Sequence, residues 1–133
     1  MRAMVKKPRV LLADDHESVR RGVRSVLESE FDVVAAVPNG EAALQAAETL
    51  RPDVVVLDVE MPVLGGMEAA RRLLERWPGA RIVFLSIHRT PGIVGKALST
   101  GALGYVFKTS ADEDLAPAIR DALEGRSFVS SAE

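Results

Sequence analysis

Five residues carry groups that do chemistry, and each stands at the end of a short apolar run: Asp14 and Asp15, Asp58, Ser86 and Lys108. The run Val54-Val55-Val56-Leu57 meets Asp58 and is broken by Met61-Pro62 and Gly65-Gly66. Uninterrupted β-branched residues mark a strand buried on both faces. In open parallel sheets, ligands bind beyond the carboxyl ends of the strands. Three carboxylates gathered there repel one another unless a cation sits among them. All-oxygen ligation with room for water suits Mg2+, which takes one or two carboxylates and a phosphate oxygen. A carboxylate can also act as a nucleophile and form an aspartyl phosphate. An amine and a hydroxyl beside it would then stabilise the phosphoryl charge. Each signal is weak alone. An Asp-Asp pair is usually a cap or turn, and a lone strand-end Lys or Ser is usually solvated.

The elements that would position these groups follow one another in strict alternation. Strand one spans 9–13, and a helix over 16–29 follows, with Val19, Val23, Val26 and Leu27 at helical spacing and Asp15 as its cap. Arg20, Arg21 and Arg24 mix with Glu17 and Glu28 on what reads as a solvated face. Strand two spans 32–37 and stops at Pro38-Asn39-Gly40. An Ala-rich helix over 41–50 ends at Arg51-Pro52, and strand three leads into Asp58. The helix over 66–77 turns Met67, Ala70, Leu73, Leu74 and Trp77 inward, with Trp77 read as core or rim packing. Strand four, 81–86, ends in Ser86. The helix over 90–100 is weakened by Gly92 and Gly95, each about 1 kcal/mol poorer than Ala. Strand five, 105–107, ends in Lys108. Ser110-Ala111-Asp112-Glu113 fits a capping box for a last helix, whose Pro117 demands either a start near Asp114 or a kink.

This alternation predicts an α/β fold, a doubly wound five-stranded parallel sheet of order 2-1-3-4-5 with five helices on both faces. In that order strands one, three, four and five are neighbours, so their five chemical groups converge on one patch. The 133 residues suit one domain with a single core. At 47% apolar and 27% charged the composition is that of an ordinary globular chain, and a net charge of −2 argues against a polyanion-binding surface. The absence of cysteine excludes disulfides, a thiol nucleophile and Cys-ligated metal. No apolar run approaches the ~18–20 residues that span a membrane, and no signal core follows the basic N-terminus. A cytoplasmic protein with no membrane partner is expected.

The stretches Leu11-Leu12-Ala13-Asp14-Asp15-His16, Pro52-Asp53 through Asp58-Val59-Glu60-Met61-Pro62, Leu85-Ser86, and Gly101-Ala102-Leu103-Gly104-Tyr105-Val106-Phe107-Lys108 together resemble the receiver domain of a bacterial two-component response regulator. The Asp-Asp-His start and the Gly-Ala-x-Gly-Tyr-x-x-Lys run are most similar to the subfamily with a C-terminal helix-turn-helix (LuxR-type) output domain. The resemblance covers residues 9–125. It leaves 1–8 as an N-terminal extension and 126–133 as the start of a linker toward a missing output domain, or a tail. It implies a flavodoxin-like fold with Asp58 as phosphoacceptor from a sensor histidine kinase. By the same resemblance, Mg2+ is held by Asp15, Asp58 and the Glu60 backbone carbonyl, with Asp14 acting through water. Ser86 and Lys108 bind phosphoryl oxygens, and Tyr105 is a switch aromatic that follows Ser86. The surface of the fourth helix, fifth strand and fifth helix then changes, with homodimerisation on phosphorylation and DNA contact only through an output domain outside this chain.

Glu60, Ile87 and His88 line the rim where the family tunes its rates. Ile87 is bulkier than the small residue many receivers carry there, which would restrict small phosphodonors. His88 reads as a rim residue rather than a metal ligand, since no second His lies nearby. Other readings remain open. One is a Mg2+-dependent phosphatase with an aspartyl nucleophile, though Glu60 stands where a second Asp would be needed. Another is an interaction domain that works without phosphorylation. A flavin-binding domain is disfavoured by the acidic turn after strand one.

Overall fold

A computed structural model describes residues 6–131. Its elements alternate as the sequence predicts: β1 (Arg9–Ala13), α1 (Glu17–Leu27), β2 (Asp32–Val37), α2 (Gly40–Leu50), β3 (Val54–Leu57), α3 (Gly66–Arg76), β4 (Ile82–Ser86), α4 (Pro91–Leu98), β5 (Gly104–Phe107), α5 (Ala111–Leu123) and β6 (Phe128–Val129). All strand pairs are parallel. The sheet order is β2-β1-β3-β4-β5-β6, so the expected five-stranded order 2-1-3-4-5 is extended by a sixth strand at the β5 edge.

Alternation of side chains along each strand divides the core into two layers. Val10, Leu12, Val54, Val56, Val83, Leu85 and Val106 face α1 and α5, where they meet Val23, Leu27, Leu115 and Ile119. Leu11, Ala13, Val55, Leu57, Ile82, Phe84 and Tyr105 face the other way, onto Ala43 and Ala47 of α2, Ala69, Ala70 and Leu73 of α3, and Ala97 of α4. Alanines on this second side let α2 and α3 lie close against the sheet. Each fully buried Leu, Ile, Val or Phe contributes roughly 1.5–3 kcal/mol, so the strand ends are held by a rigid slab.

Local signals resolve differently in four places. Asp15 does not cap α1. His16 is the N-cap residue, without a side-chain cap bond, and Asp14 Oδ1 instead accepts the His16 N–H at 2.9 Å. The capping box at Ser110 does not form. A 3-10 turn over Lys108–Ser110 leads into α5 and leaves Ser110 at φ −113°, ψ 12°, away from the extended geometry an N-cap side chain needs. α5 starts at Ala111 and runs through Pro117, so the Glu113 carbonyl one turn earlier forgoes its helical donor. α4 is shorter than expected and begins with Pro91 in its first turn, where the missing N–H costs nothing. Asn39 caps α2 by accepting from the Ala42 N–H at 2.8 Å, a cap the sequence reading did not name. Trp77 packs against the core as expected, under the Arg51 guanidinium, 4.7 Å from its ring centroid.

Candidate functional site

The carboxyl ends of β1, β3, β4 and β5 are adjacent, and their end residues meet. Asp58 is 6% exposed and is placed by its own N–H, which donates to the Ala13 carbonyl of the neighbouring strand at 3.0 Å. Its Oδ1 accepts the Glu60 N–H at 3.3 Å, and its Oδ2 accepts from Lys108 Nζ at 3.1 Å. Asp14 is fully buried at the end of β1, and its Oδ2 lies 2.7 Å from the same ammonium. At that distance the ammonium, with three N–H donors, serves both carboxylates at once.

The loop after Asp58 folds back over the strand end. The Gly66 N–H donates to the Val59 carbonyl at 2.9 Å. A Cβ on Gly66 would stand 1.9 Å from the Asp58 carbonyl oxygen, so only glycine lets α3 begin this close to the carboxylate. Val63, at the loop tip, holds φ +69° and is 80% exposed.

On the other flank, Ser86 is fully buried and its Oγ accepts the His88 N–H at 3.0 Å. The buried Tyr105 hydroxyl donates to the His88 carbonyl at 2.7 Å. The His88 imidazole contacts the Glu60 carboxylate through Nε2 and Oε1. His88 therefore joins the loops after β3 and β4 to the tyrosine of β5. Ile87 is 67% exposed.

Burial raises the Asp58 carboxyl above its ordinary range; the Lys108 charge opposes this and the Asp14 charge adds to it. Burial alone would lower the Lys108 ammonium, but the Asp14 and Asp58 carboxylates outweigh it and hold the group above its usual value. Burial likewise raises the Tyr105 hydroxyl.

Among the described residues, Asp14, Asp15 and His16 bring ligand atoms within 4.8 Å of one another. Asp15 is exposed, with Oδ1 3.2 Å from His16 Nδ1. A hard divalent cation fits this donor set. Three carboxylates against one ammonium leave negative charge in excess, which a divalent cation would offset.

Sequence reasoning names Asp14, Asp15, Asp58, Ser86, Tyr105 and Lys108, and the structure gathers their strand ends on one side of the sheet. It does not foresee His16 as a neighbour of the acidic pair, although adjacency in sequence is a signal. It also misses Arg20, whose Nη1 donates to the Asp14 carbonyl at 2.7 Å from one turn into α1.

Residues 10–120 match the response regulator receiver domain family. The chain is 37% identical over 125 residues to the transcriptional regulatory protein DegU of Brevibacillus brevis, covering 92% of this chain and 53% of DegU. It thus spans about half the length of the curated relatives it matches. Among solved structures it superposes on a LuxR-family two-component response regulator from Aurantimonas sp. SI85-9A1, with TM-score 0.88, 35% identity, and 92% and 89% of the two chains covered. It also superposes on the signal receiver domain of the putative response regulator NarL from Mycobacterium tuberculosis, with TM-score 0.85, 34% identity, and 92% and 100% covered. The chain belongs to the family of two-component response regulator receiver domains. It is a signalling domain rather than an enzyme in the ordinary sense, and receiver domains bind Mg2+ at an acidic pocket such as that formed by Asp14 and Asp15. Among the described residues no helix is long and apolar enough to cross a membrane.

Proposed function

We propose that Asp58 accepts a phosphoryl group from a phosphohistidine of a sensor histidine kinase. The observation that carries this reading is the Lys108 ammonium set between Asp14 Oδ2 and Asp58 Oδ2 at a strand-end carboxylate. A carboxylate oxygen of Asp58 attacks phosphorus and forms the O–P bond. The P–N bond breaks, and its electron pair returns to the imidazole nitrogen. Lys108 follows the incoming charge from carboxylate to phosphoryl oxygen. The Ser86 hydroxyl, which now accepts from the His88 N–H, turns to donate to a second phosphoryl oxygen. Asp15, Asp58 and the Glu60 backbone carbonyl would hold Mg2+, with Asp14 acting through water. When bound, the ion supplies charge neutralisation among the carboxylates and phosphoryl oxygens.

The hydrogen bonds at His88 support a switch reading. Ser86 and Tyr105 grip the same residue, His88, through its N–H and its carbonyl. A turn of Ser86 toward the phosphoryl group therefore loosens the loop that Tyr105 leans on. Glu60, Ile87 and His88 set access at the rim. The affected surface is α4, β5 and α5, and its change drives homodimerisation and control of transcription through a DNA-binding region outside this chain, in the cytoplasm. This is a two-state element biased by a local change of charge.

The test uses a small donor with the same P–N bond. Phosphoramidate with Mg2+ yields a single adduct that hydroxylamine removes, the signature of an acyl phosphate. An adduct resistant to hydroxylamine would place the phosphoryl group on another residue type.

A further inference from the structure

Ser130 follows β6, beyond the last element the sequence pattern defines, yet it is buried. Its hydroxyl uses both of its capacities. It accepts from the buried Phe107 N–H at 3.1 Å and donates to Asp114 Oδ2 of α5 at 2.7 Å. Its own N–H donates to the Tyr105 carbonyl at 2.9 Å, and the Phe128 N–H donates to the Leu103 carbonyl at 3.0 Å. The segment thus holds the outer edge of β5 along its length. It grips β5 at Tyr105, whose hydroxyl reaches His88, and at Phe107, the residue before Lys108. Without the Ser130 hydroxyl the Phe107 N–H has no partner, which a buried donor tolerates poorly. Lys108 ends in a flexible four-carbon stem, so its station between Asp14 and Asp58 depends on where its backbone is fixed.

We infer that Ser130 is a positioning residue for Lys108, and that the docking of β6 on β5 is thereby coupled to phosphoryl binding at Asp58. The inference rests on the reading of Asp58 as phosphoacceptor. Coupling of this kind is reciprocal: if docked β6 favours the loaded site, loading must tighten β6.

The experiment titrates beryllofluoride with Mg2+, a phosphoryl mimic, into wild type, Ser130→Ala, Ser130→Thr and Asp114→Ala. Each variant's fold is checked by circular dichroism, and amide exchange at Phe107 and Ser130 is measured with and without the mimic. Ser130→Ala is expected to weaken the apparent affinity about five-fold or more. Ser130→Thr restores it, and Asp114→Ala shifts it in the same direction by less. In wild type both amides exchange more slowly when loaded. If Ser130→Ala does not fold, the Asp114→Ala shift and the wild-type exchange decide. Unchanged affinity together with unchanged exchange overturns the coupling and leaves Ser130 a structural residue. Failure of wild type to bind beryllofluoride overturns the phosphoacceptor reading itself, and this inference with it.

Discussion

Lys108 Nζ donates to Asp58 Oδ2 at 3.1 Å, from a residue fifty positions later in the chain. The sheet order makes this contact: β3 and β5 flank β4, so the ends of strands far apart in sequence stand side by side. The same ammonium stands 2.7 Å from Asp14 Oδ2, so two buried carboxylates share one cation.

Lys108→Ala leaves the Asp14 and Asp58 carboxylates buried without their counterion. Breaking such a pair costs roughly 3–5 kcal/mol. Urea unfolding at neutral pH without divalent ions should show a loss near the lower end of that range. Added Mg2+ should restore part of it, because the cation site remains. This variant should still bind Mg2+, but a phosphoryl mimic should no longer shift the amide resonances of β5. A normal shift would remove Lys108 from the mechanism.

The pH dependence of stability follows from Asp58. Burial holds its carboxyl above the ordinary value of 3.8 despite the Lys108 charge. A carboxyl raised on folding contributes stability that is fully present below its unfolded value and is lost as pH rises through the folded value. Ionisation of Asp58 therefore opposes the fold. Asp58→Asn should raise the unfolding midpoint at pH 7, and the gain should shrink toward pH 4. A gain that does not depend on pH would contradict this. Lys108, also raised, contributes stability lost only as pH rises past its own elevated value, above 10.5.

Gly66→Ala tests the loop that shapes the site. The added methyl would meet the Asp58 carbonyl oxygen at 1.9 Å, and the nearest atoms it meets are backbone and cannot swing aside. Overpacking of this kind costs about 3 kcal/mol, seen as a lower unfolding midpoint. Because the displaced atom belongs to Asp58, phosphoryl uptake should fall as well.

Asp15→Ala separates metal binding from stability. Asp15 is exposed and its close partner is His16, so unfolding should change by no more than ~0.5 kcal/mol. Mg2+ affinity measured by titration calorimetry should be lost. Retained affinity would place the ion on Asp14 and Asp58 alone.

The parts of the fold legible in the sequence are those where a local pattern and the tertiary outcome agree. Val54 to Leu57 is apolar at every position because the strand is buried on both faces, and the break at Asp58 marks its end. Phe128–Val129 is too short to show a period, and its place depends on a hydroxyl, Ser130, that reaches β5 and α5 at once. Asp15 looks like a cap because it precedes a helix. Asp14, one residue earlier, takes the His16 N–H because its carboxylate is already turned inward against Lys108. The joining of Glu60 to His88 is set by two loop conformations, 28 residues apart, on which no spacing rule bears.

Intact mass measures directly whether Asp58 is the phosphoacceptor. Wild type and Asp58→Asn are incubated with acetyl phosphate and Mg2+ and weighed. One phosphoryl adduct is expected on wild type and none on Asp58→Asn. An equal adduct on both proteins would contradict this role and move the acceptor elsewhere. If neither carries an adduct while beryllofluoride still binds wild type, the site is intact but closed to small donors, and Ile87→Ala should open it. If beryllofluoride does not bind either, the phosphoacceptor role of Asp58 is refuted.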